Sequence, residues 1–393
     1  MSVSQKLPEG WNEKRLKDVG KCLTGLTYSP NDVTDDSGLL VLRSSNVQGG
    51  KLVFDDNVFV KRDIKVTNYA LNGDILVCVR NGSRNLIGKN ALITTEGGGL
   101  AHGAFMMLFR SNHNQYLYQL FSSEMYNKQV YRNLGATINS INSSDFYKFK
   151  FPFPPLPEQK AIADLLSTWD QAIEKTERLI KAKEISLKGQ IQRLISQRCD
   201  SWPHIKPKKI FDTISEKNFS EEELLSVTQD RGVIPRSMLE GRVMSPDGTT
   251  ASYKLIKQGD FAISLRSFQG GIEHSNYQGI ISPAYTVLRP KIELDNDFYR
   301  LFFKSYIFIE KYLNLAVIGI RDGKQISIPD FLSIKIPVPS LGEQKKIAKT
   351  LSICQHELDL LKQLAGKYKV QKCGLMQKLL TGEWRVNTVK EVA

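Results

Sequence analysis

The sequence predicts an α+β chain in which one architecture is used twice: two mixed, β-rich segments alternate with two long helices that pair with each other. Three observations carry this. Phe151-Pro-Phe-Pro-Pro-Leu-Pro-Glu-Gln-Lys160 and Ile336-Pro-Val-Pro-Ser-Leu-Gly-Glu-Gln-Lys345 share one pattern and lie 185 residues apart, as Lys160 is from Lys345. The repeat extends to both sides, with Ile141 and Asp145-Phe146 aligning with Ile326 and Asp330-Phe331, and Ile162-Ala163, Leu166-Ser167 and Gly189 with Ile347-Ala348, Leu351-Ser352 and Gly374. Behind each copy, apolar residues recur every seven positions over a long run.

Taken in chain order, residues 1–153 mix short β-rich runs with the turn signals Asn72-Gly73 and Asn81-Gly82. Ile75, Val77 and Val79 alternate with Leu76, Cys78 and Arg80, which reads as a strand launched by the Gly73-Asp74 turn and ending on an arginine. Residues 154–199 read as a helix, with Pro157 at its first position, where a missing N–H costs nothing. Leu166, Ile173, Ile180, Leu187 and Leu194 form its seven-residue row; Ile162 and Trp169 begin an interleaved row that Thr176, Lys183 and Gln190 continue.

Residues 200–339 return to β-rich character, and Gln258-Gly-Asp-Phe-Ala262 echoes Asn72-Gly-Asp-Ile-Leu76. Phe261, Ile263 and Leu265 alternate with Ala262, Ser264 and Arg266, again ending on arginine. Residues 340–393 form the second helix and a tail. Ile347, Cys354, Leu361, Tyr368 and Leu375 make one row, and Leu351, Leu358, Ala365 and Leu379 the other, interrupted by Lys372. Ser340 with Glu343 predicts a capping box, and Gly382 a C-terminal cap. Matching periods on the two helices predict that their seams meet. Gly189 and Gly374 fall mid-helix, as a close approach or a kink.

The 393 residues suffice for two to four domains, and the net charge of +13 favours a polyanionic partner, nucleic acid before membrane. Five scattered cysteines without a C-x-x-C pair argue against a disulfide framework or structural zinc. With no apolar signal core and no run near the ~18 residues a membrane span needs, a cytoplasmic, reducing location is expected. The chain lacks a phosphate-loop motif, a complete Gly-x-Gly-x-x-Gly fingerprint and an Asp/Asn-Pro-Pro-Tyr/Phe signature, so no cofactor is expected in it. Asp330 with Glu343 and Lys345 loosely fits a metal-dependent nuclease pattern, but Glu343 opens a long helix, where the helix dipole alone favours an acid.

Recognition chemistry remains. Reading DNA bases needs Arg or Lys for guanine and Asn or Gln for adenine. The first half offers Arg43 and Asn46; Arg80, Asn81, Ser83 and Arg84; and Thr137 and Asn139. The second offers Gln229 and Arg231; Arg266, Ser267 and Gln269; and Arg321, Lys324 and Gln325.

The duplicated Pro-x-Leu-x-Glu-Gln-Lys helix opener, the Gly-Asp strand launch in each half and the closing Leu379-Leu-Thr-Gly-Glu-Trp-Arg-Val386 resemble the specificity subunit of type I restriction–modification systems. Ser340-Leu-Gly342 departs from the family's commoner Pro-Leu-Pro. The resemblance implies two target-recognition domains (1–153 and 200–339), each reading half of a split site in double-stranded DNA. It implies a central helix (154–199) and a C-terminal helix with tail (340–393) that form an antiparallel coiled coil between them, with pseudo-two-fold symmetry. Leu166, Ile173, Ile180, Leu187, Leu194, Ile347, Leu351, Leu361, Tyr368 and Leu375 would build the coil. Two modification subunits with S-adenosylmethionine would dock on it, and two restriction subunits would bring ATP and Mg; the chain itself would be non-catalytic. A stand-alone nuclease and a protein-binding coiled-coil adaptor are the competing expectations.

Overall fold

In the computed structural model, which describes residues 7–134, 139–239, 250–264, 270–319 and 325–387, the chain divides into two units. One comprises Met1–Thr176 with Leu364–Ala393, the other Glu177–Gln363. Each unit therefore takes a β-rich segment together with part of each long helix, a grouping the four linear segments do not show.

The central sheet of the first unit runs in the order Lys21–Thr24, Met106–Arg110, Ile75–Cys78, Asn90–Leu92, all neighbours antiparallel. Its middle strand alternates as expected, but both faces are buried. Ile75 and Val77 enter one apolar cluster with Met107 and Phe109, while Leu76 and Cys78 enter another with Met106 and Leu108. A continuous apolar run is what a strand covered on both sides requires. The strand opens on Gly73, whose positive φ of 90° favours glycine. It is followed by Asp74, 2% exposed, whose carboxylate accepts from Arg110 Nε at 2.9 Å and Nη2 at 2.7 Å, and from the Leu71 N–H at 2.9 Å. The sheet is backed by the helix Asn114–Phe121 and an aromatic cluster in which Phe121 stacks on Tyr126 with centroids 4.7 Å apart. The strand Asn12–Arg15 pairs antiparallel with Lys150–Phe153, which leads directly to the first long helix.

The second unit repeats this plan. Its sheet runs Phe211–Ile214, Tyr285–Pro290, Phe261–Ser264, Ile272–His274, with the same order and sense. Asp260, 2% exposed, accepts from Arg289 Nε at 3.0 Å and Nη2 at 2.8 Å and from the Lys257 N–H at 2.9 Å. The Gly-Asp repeat thus places a buried aspartate in an ion pair with a part-exposed arginine on the adjacent strand. His204–Ile205 pairs with Ile336–Pro337, as Asn12–Arg15 does with Lys150–Phe153.

The long helices span Leu156–Ile191 and Leu341–Leu380, on the order of 54 and 60 Å at 1.5 Å per residue. The first continues through a π-helical turn, Gln192–Ser196, that carries Leu194. Pro157 sits one position inside its start, where an N–H is still an orphan. Of the capping box at Ser340, only the hydroxyl half forms: Ser340 Oγ accepts from the Glu343 N–H at 3.3 Å, and the Glu343 carboxylate pairs with Arg198 instead. Gly382 has φ 77°, and a Cβ there would lie 2.5 Å from Pro8 Cγ. A Cβ at Gly189 or Gly374 would meet nothing within 4 Å, so among the described residues none approaches closely there.

Within each unit the helix segments pack antiparallel. In the first, Ile162 and Leu166 share a core with Met376, Leu379 and Leu380, Leu375 packs against it, and Trp169 meets Tyr368 edge-on at 5.7 Å. Lys372, which interrupts the apolar row, donates to Asp170 at 2.6 Å. In the second, Leu187 shares a core with Ile347, Leu351 and Leu358, against which Ile180, Leu194 and Cys354 pack. Its polar interruptions are also matched: Lys183 bonds Glu357 at 2.8 Å, and the Cys354 thiol donates to Gln190 Oε1 at 3.3 Å. Ile173 and Leu361 are half-buried. We expect Arg110→Met, which strips the buried Asp74 of its counter-charge but leaves it the Leu71 N–H, to cost about 2 kcal/mol, read as a lowered urea midpoint.

Candidate nucleic-acid interface

In the first unit the three polar sets converge. The strand Leu39–Leu42 ends at Arg43 and turns through Ser44–Asn46. The strand Ile75–Cys78 continues to Val79 and Arg80, whose N–H groups both donate to the Phe105 carbonyl, at 3.0 and 3.1 Å. Asn81 Nδ2 then donates to Ser44 Oγ at 3.1 Å, and Lys89 Nζ to the Ser44 carbonyl at 3.1 Å. Asn139 Nδ2 donates to the Gly82 carbonyl at 3.0 Å, and its own carbonyl accepts from the Asn81 N–H at 3.3 Å. Thr137 lies outside the described residues.

The convergence separates exposed donors from struts. Arg80, Ser83 and Arg84 are exposed, and Arg43 is half-buried. The Arg80 guanidinium lies 5.7 Å from the centroid of Phe105, a ring that is 56% exposed. Arg84 Nη2 reaches the Leu134 carbonyl at 3.4 Å. Asn46 is different and corrects the sequence expectation. It is fully buried, its Oδ1 accepts from the Arg43 N–H at 2.9 Å, and its Nδ2 donates to the Val53 carbonyl at 3.1 Å. With its amide committed inside the fold it presents nothing to a base. Asn81 is likewise occupied, its Oδ1 accepting from the Ser83 N–H at 3.0 Å.

Beside these loops lies a groove of about 640 Å³ lined by Tyr28, Arg43, Ser44, Ser45, Asp56 and Phe105, among others. Sequence reasoning missed Tyr28, Asp56 and Phe105. No local pattern marks them: Asp56 meets Arg43, Phe105 meets Arg80, and all three line the groove only once the chain has folded.

In the second unit, Gln229 and Arg231 are exposed on the turn joining Leu225–Thr228 to Gly232–Pro235. The Arg231 N–H donates to Thr228 Oγ1 at 3.1 Å, and its Nη1 reaches the Met238 carbonyl at 3.1 Å. Lys304 Nζ donates to the Gln229 carbonyl at 3.0 Å and pairs with the buried Glu273, whose carboxyl burial pushes up against the opposing pull of Lys304. Gln325 is exposed on a short strand opposite Ile318. Arg266, Ser267, Gln269, Arg321 and Lys324 lie outside the described residues.

The residues of the loose nuclease pattern do other work. Glu343 pairs with Arg198, and Lys345 faces Glu293 at 3.8 Å. Among the described residues no cluster of His, Cys, Asp or Glu is placed to hold a metal ion, and no helix is long and apolar enough to cross a membrane.

A sheet module built twice, with exposed donors on loops at its strand ends and paired long helices in each unit, defines the class of duplicated DNA-specificity proteins. The chain belongs to the type I restriction modification DNA specificity family, whose model matches residues 8–184 and 247–367. It is 26% identical to the MjaX type I restriction enzyme specificity subunit of Methanocaldococcus jannaschii, over 98% of this chain and 96% of that one. It is 31% identical to the EcoKI specificity subunit of Escherichia coli K12, over 44% of this chain and 38% of that protein. Among solved structures, the type I restriction–modification S subunit of M. genitalium matches with a TM-score of 0.58 at 17% identity, over 97% of this chain and 98% of that one. A chain from a structural study of assembly and conformational transition in a type I system matches with a TM-score of 0.59 at 17% identity, over 97% of this chain and all of that one.

One buried group gives the second unit a pH dependence. His274 is 7% exposed, neither ring nitrogen has a hydrogen-bond partner among the described residues, and burial, with Arg300 adding to it, pushes its pKa down to about 4. The unfolded chain then binds the extra proton between about pH 6.5 and 4, so stability is full above 6.5 and falls as pH drops through that window. We expect His274→Leu to flatten the fall in urea midpoint between pH 7.5 and 4.5, with an effect on the order of 2–3 kcal/mol at the acid end.

Proposed function

We propose that the chain is the non-catalytic, DNA-reading subunit of a type I restriction–modification complex, in which each β-rich unit reads one half of a split double-stranded target. The observation that carries this is the doubled module: the same strand order and the same pairing of a buried aspartate with an arginine on the adjacent strand, once in each half. The net charge of +13 suits the phosphate backbone.

On this reading the long helices are the spacer and the dock. Two modification subunits, holding S-adenosylmethionine, seat on them, and two restriction subunits supply ATP- and Mg-dependent translocation and cleavage. A stiff helix pair turns helix length into the gap between half-sites.

Co-expression with adenine-methyltransferase subunits, followed by mapping of methylated adenines, tests the reading. A bipartite motif with an unspecified gap is expected. A complex that assembles but methylates a single uninterrupted motif, or none, overturns it. Inserting one heptad into each long helix adds about 10 Å and is expected to widen the gap by about three base pairs, at 3.4 Å each, leaving the letters of both half-sites unchanged. Binding to duplex DNA should weaken steeply with salt, at about −0.9 in log–log slope per neutralised phosphate.

A further inference from the structure

Asp56 is an acidic side chain beside a surface that, on the reading above, faces a polyanion. Its carboxylate accepts from Arg43 Nη2 at 3.1 Å, with the two side chains 69% and 34% exposed. An ion pair that exposed adds little to folding stability, and a carboxylate near phosphates weakens DNA binding. The fold nevertheless fixes it in place. Asn46 Nδ2 donates to the Asp56 carbonyl at 3.3 Å and to Asn57 Oδ1 at 3.1 Å, and Ser45 Oγ reaches the same carbonyl at 3.4 Å. The loop carrying Asp56 is thereby tied to the turn that carries Arg43, independently of the ion pair. Arg43 Nε is buried and has no partner among the described residues. The pair lines the 640 Å³ groove with Ser44, Ser45 and Phe105.

We propose that Asp56 is a specificity-determining positioning residue for Arg43, and that the pair reads one G·C base pair in the half-site of the first unit. This rests on the reading of that unit as a DNA reader. The physical ground is geometric. An arginine is a planar fork of five donors. Held by a carboxylate on one terminal nitrogen, with Nε buried, it loses rotational freedom and can offer its remaining terminal N–H groups in one plane. Guanine O6 and N7 are the acceptor pair such a fork matches, and a carboxylate beside it can accept from the N4 amine of the paired cytosine. Asn46, which the sequence suggested as a reader, is the strut beneath this pair.

The test is methylome mapping of the complex carrying Asp56→Ala, with Asp56→Asn as a second variant of conserved shape, and thermal melting as the control for folding. The expected result is relaxation at one position, a G·C pair, in one half-site, with roughly ten- to hundredfold loss of discrimination there and the other half unchanged. Arg43→Ala should relax the same position, and the double variant should add little to either single one. Unchanged specificity in both Asp56 variants overturns the proposal, as does relaxation at an A·T position or equal loss in both halves. A variant that melts early yet keeps its motif also overturns it, since the role is then structural. If the unaltered complex gives no bipartite motif, the reading of the whole chain fails and not merely the role of Asp56.

Discussion

Two buried side-chain amides hold this architecture together. Gln159 and Gln344 are 4% and 2% exposed, each in the first turn of a long helix. Gln159 Nε2 donates to the Pro154 carbonyl at 2.8 Å, and Gln344 Nε2 to the Pro339 carbonyl at 2.8 Å. Those carbonyls lie in proline-rich approaches, where missing N–H groups leave few other partners. The other end of each amide reaches the sheet module: Gln159 Oε1 meets His113 Nδ1 at 2.8 Å, just before the helix Asn114–Phe121, and Gln344 Oε1 accepts from the Asp295 N–H at 2.9 Å, just before Asn296–Phe302. One side chain thus ties strand end, long helix and short helix. A buried amide deprived of such partners costs its full desolvation penalty, so the joint holds in one arrangement.

The neighbouring glutamates close each unit by different routes. In the second, Glu343 pairs with Arg198, whose guanidinium lies 5.9 Å from the Trp202 ring; these two residues are four apart in sequence, where the first long helix passes into the next β-rich segment. In the first, Glu158 accepts from Arg385 Nε at 2.6 Å and from Trp11 Nε1 at 3.0 Å, and Arg385 lies 6.0 Å from the Trp11 ring. Here the arginine and tryptophan come from opposite ends of the described chain. The carboxylate, guanidinium and indole recur, but the contact spans nearly the whole sequence in one unit and a single turn in the other. Gly382 belongs to the same closure, since its bare Cα admits Pro8. The non-covalent joint stands where the other unit has a covalent one.

This explains what was legible in the sequence. Glu, Gln and Gly-Asp repeat visibly because each commits its side chain to the same kind of partner in both halves, an arginine for the acids and a proline-loop carbonyl for the amides, chemistry that tolerates little substitution. The seams were legible for the same reason, and even their flaws proved regular, with Lys372, Lys183 and Gln190 each finding a polar partner on the facing helix. The order of strands was not legible. Lys21–Thr24 pairs with Met106–Arg110 across more than eighty residues, and no local pattern encodes that choice. Asn46 was misread because an asparagine that satisfies its own loop has the same letters as one that reads adenine. Phe105 and Asp56 were missed because they acquire their neighbours only after the sheet forms.

The distribution of amides and guanidiniums separates groups that hold the fold from groups left at its surface. In the first unit the asparagines are spent on backbone groups: Asn46 on Val53 and Asp56, Asn81 on Ser83, Asn139 on Gly82. The arginines beside them stay at the surface, stacked as Arg80 is on Phe105 or paired as Arg43 is with Asp56. Short amides make rigid struts, because few rotamers must be frozen to form their bonds. Long guanidiniums can then be aimed from a fixed base without carrying the fold. Changing an exposed arginine therefore alters what the surface offers while leaving the loop in place, whereas changing a strut moves every donor mounted on it. Substitutions that change the surface without unfolding the unit are therefore those of the exposed set, and Asn46, buried and committed to its own loop, is excluded from it.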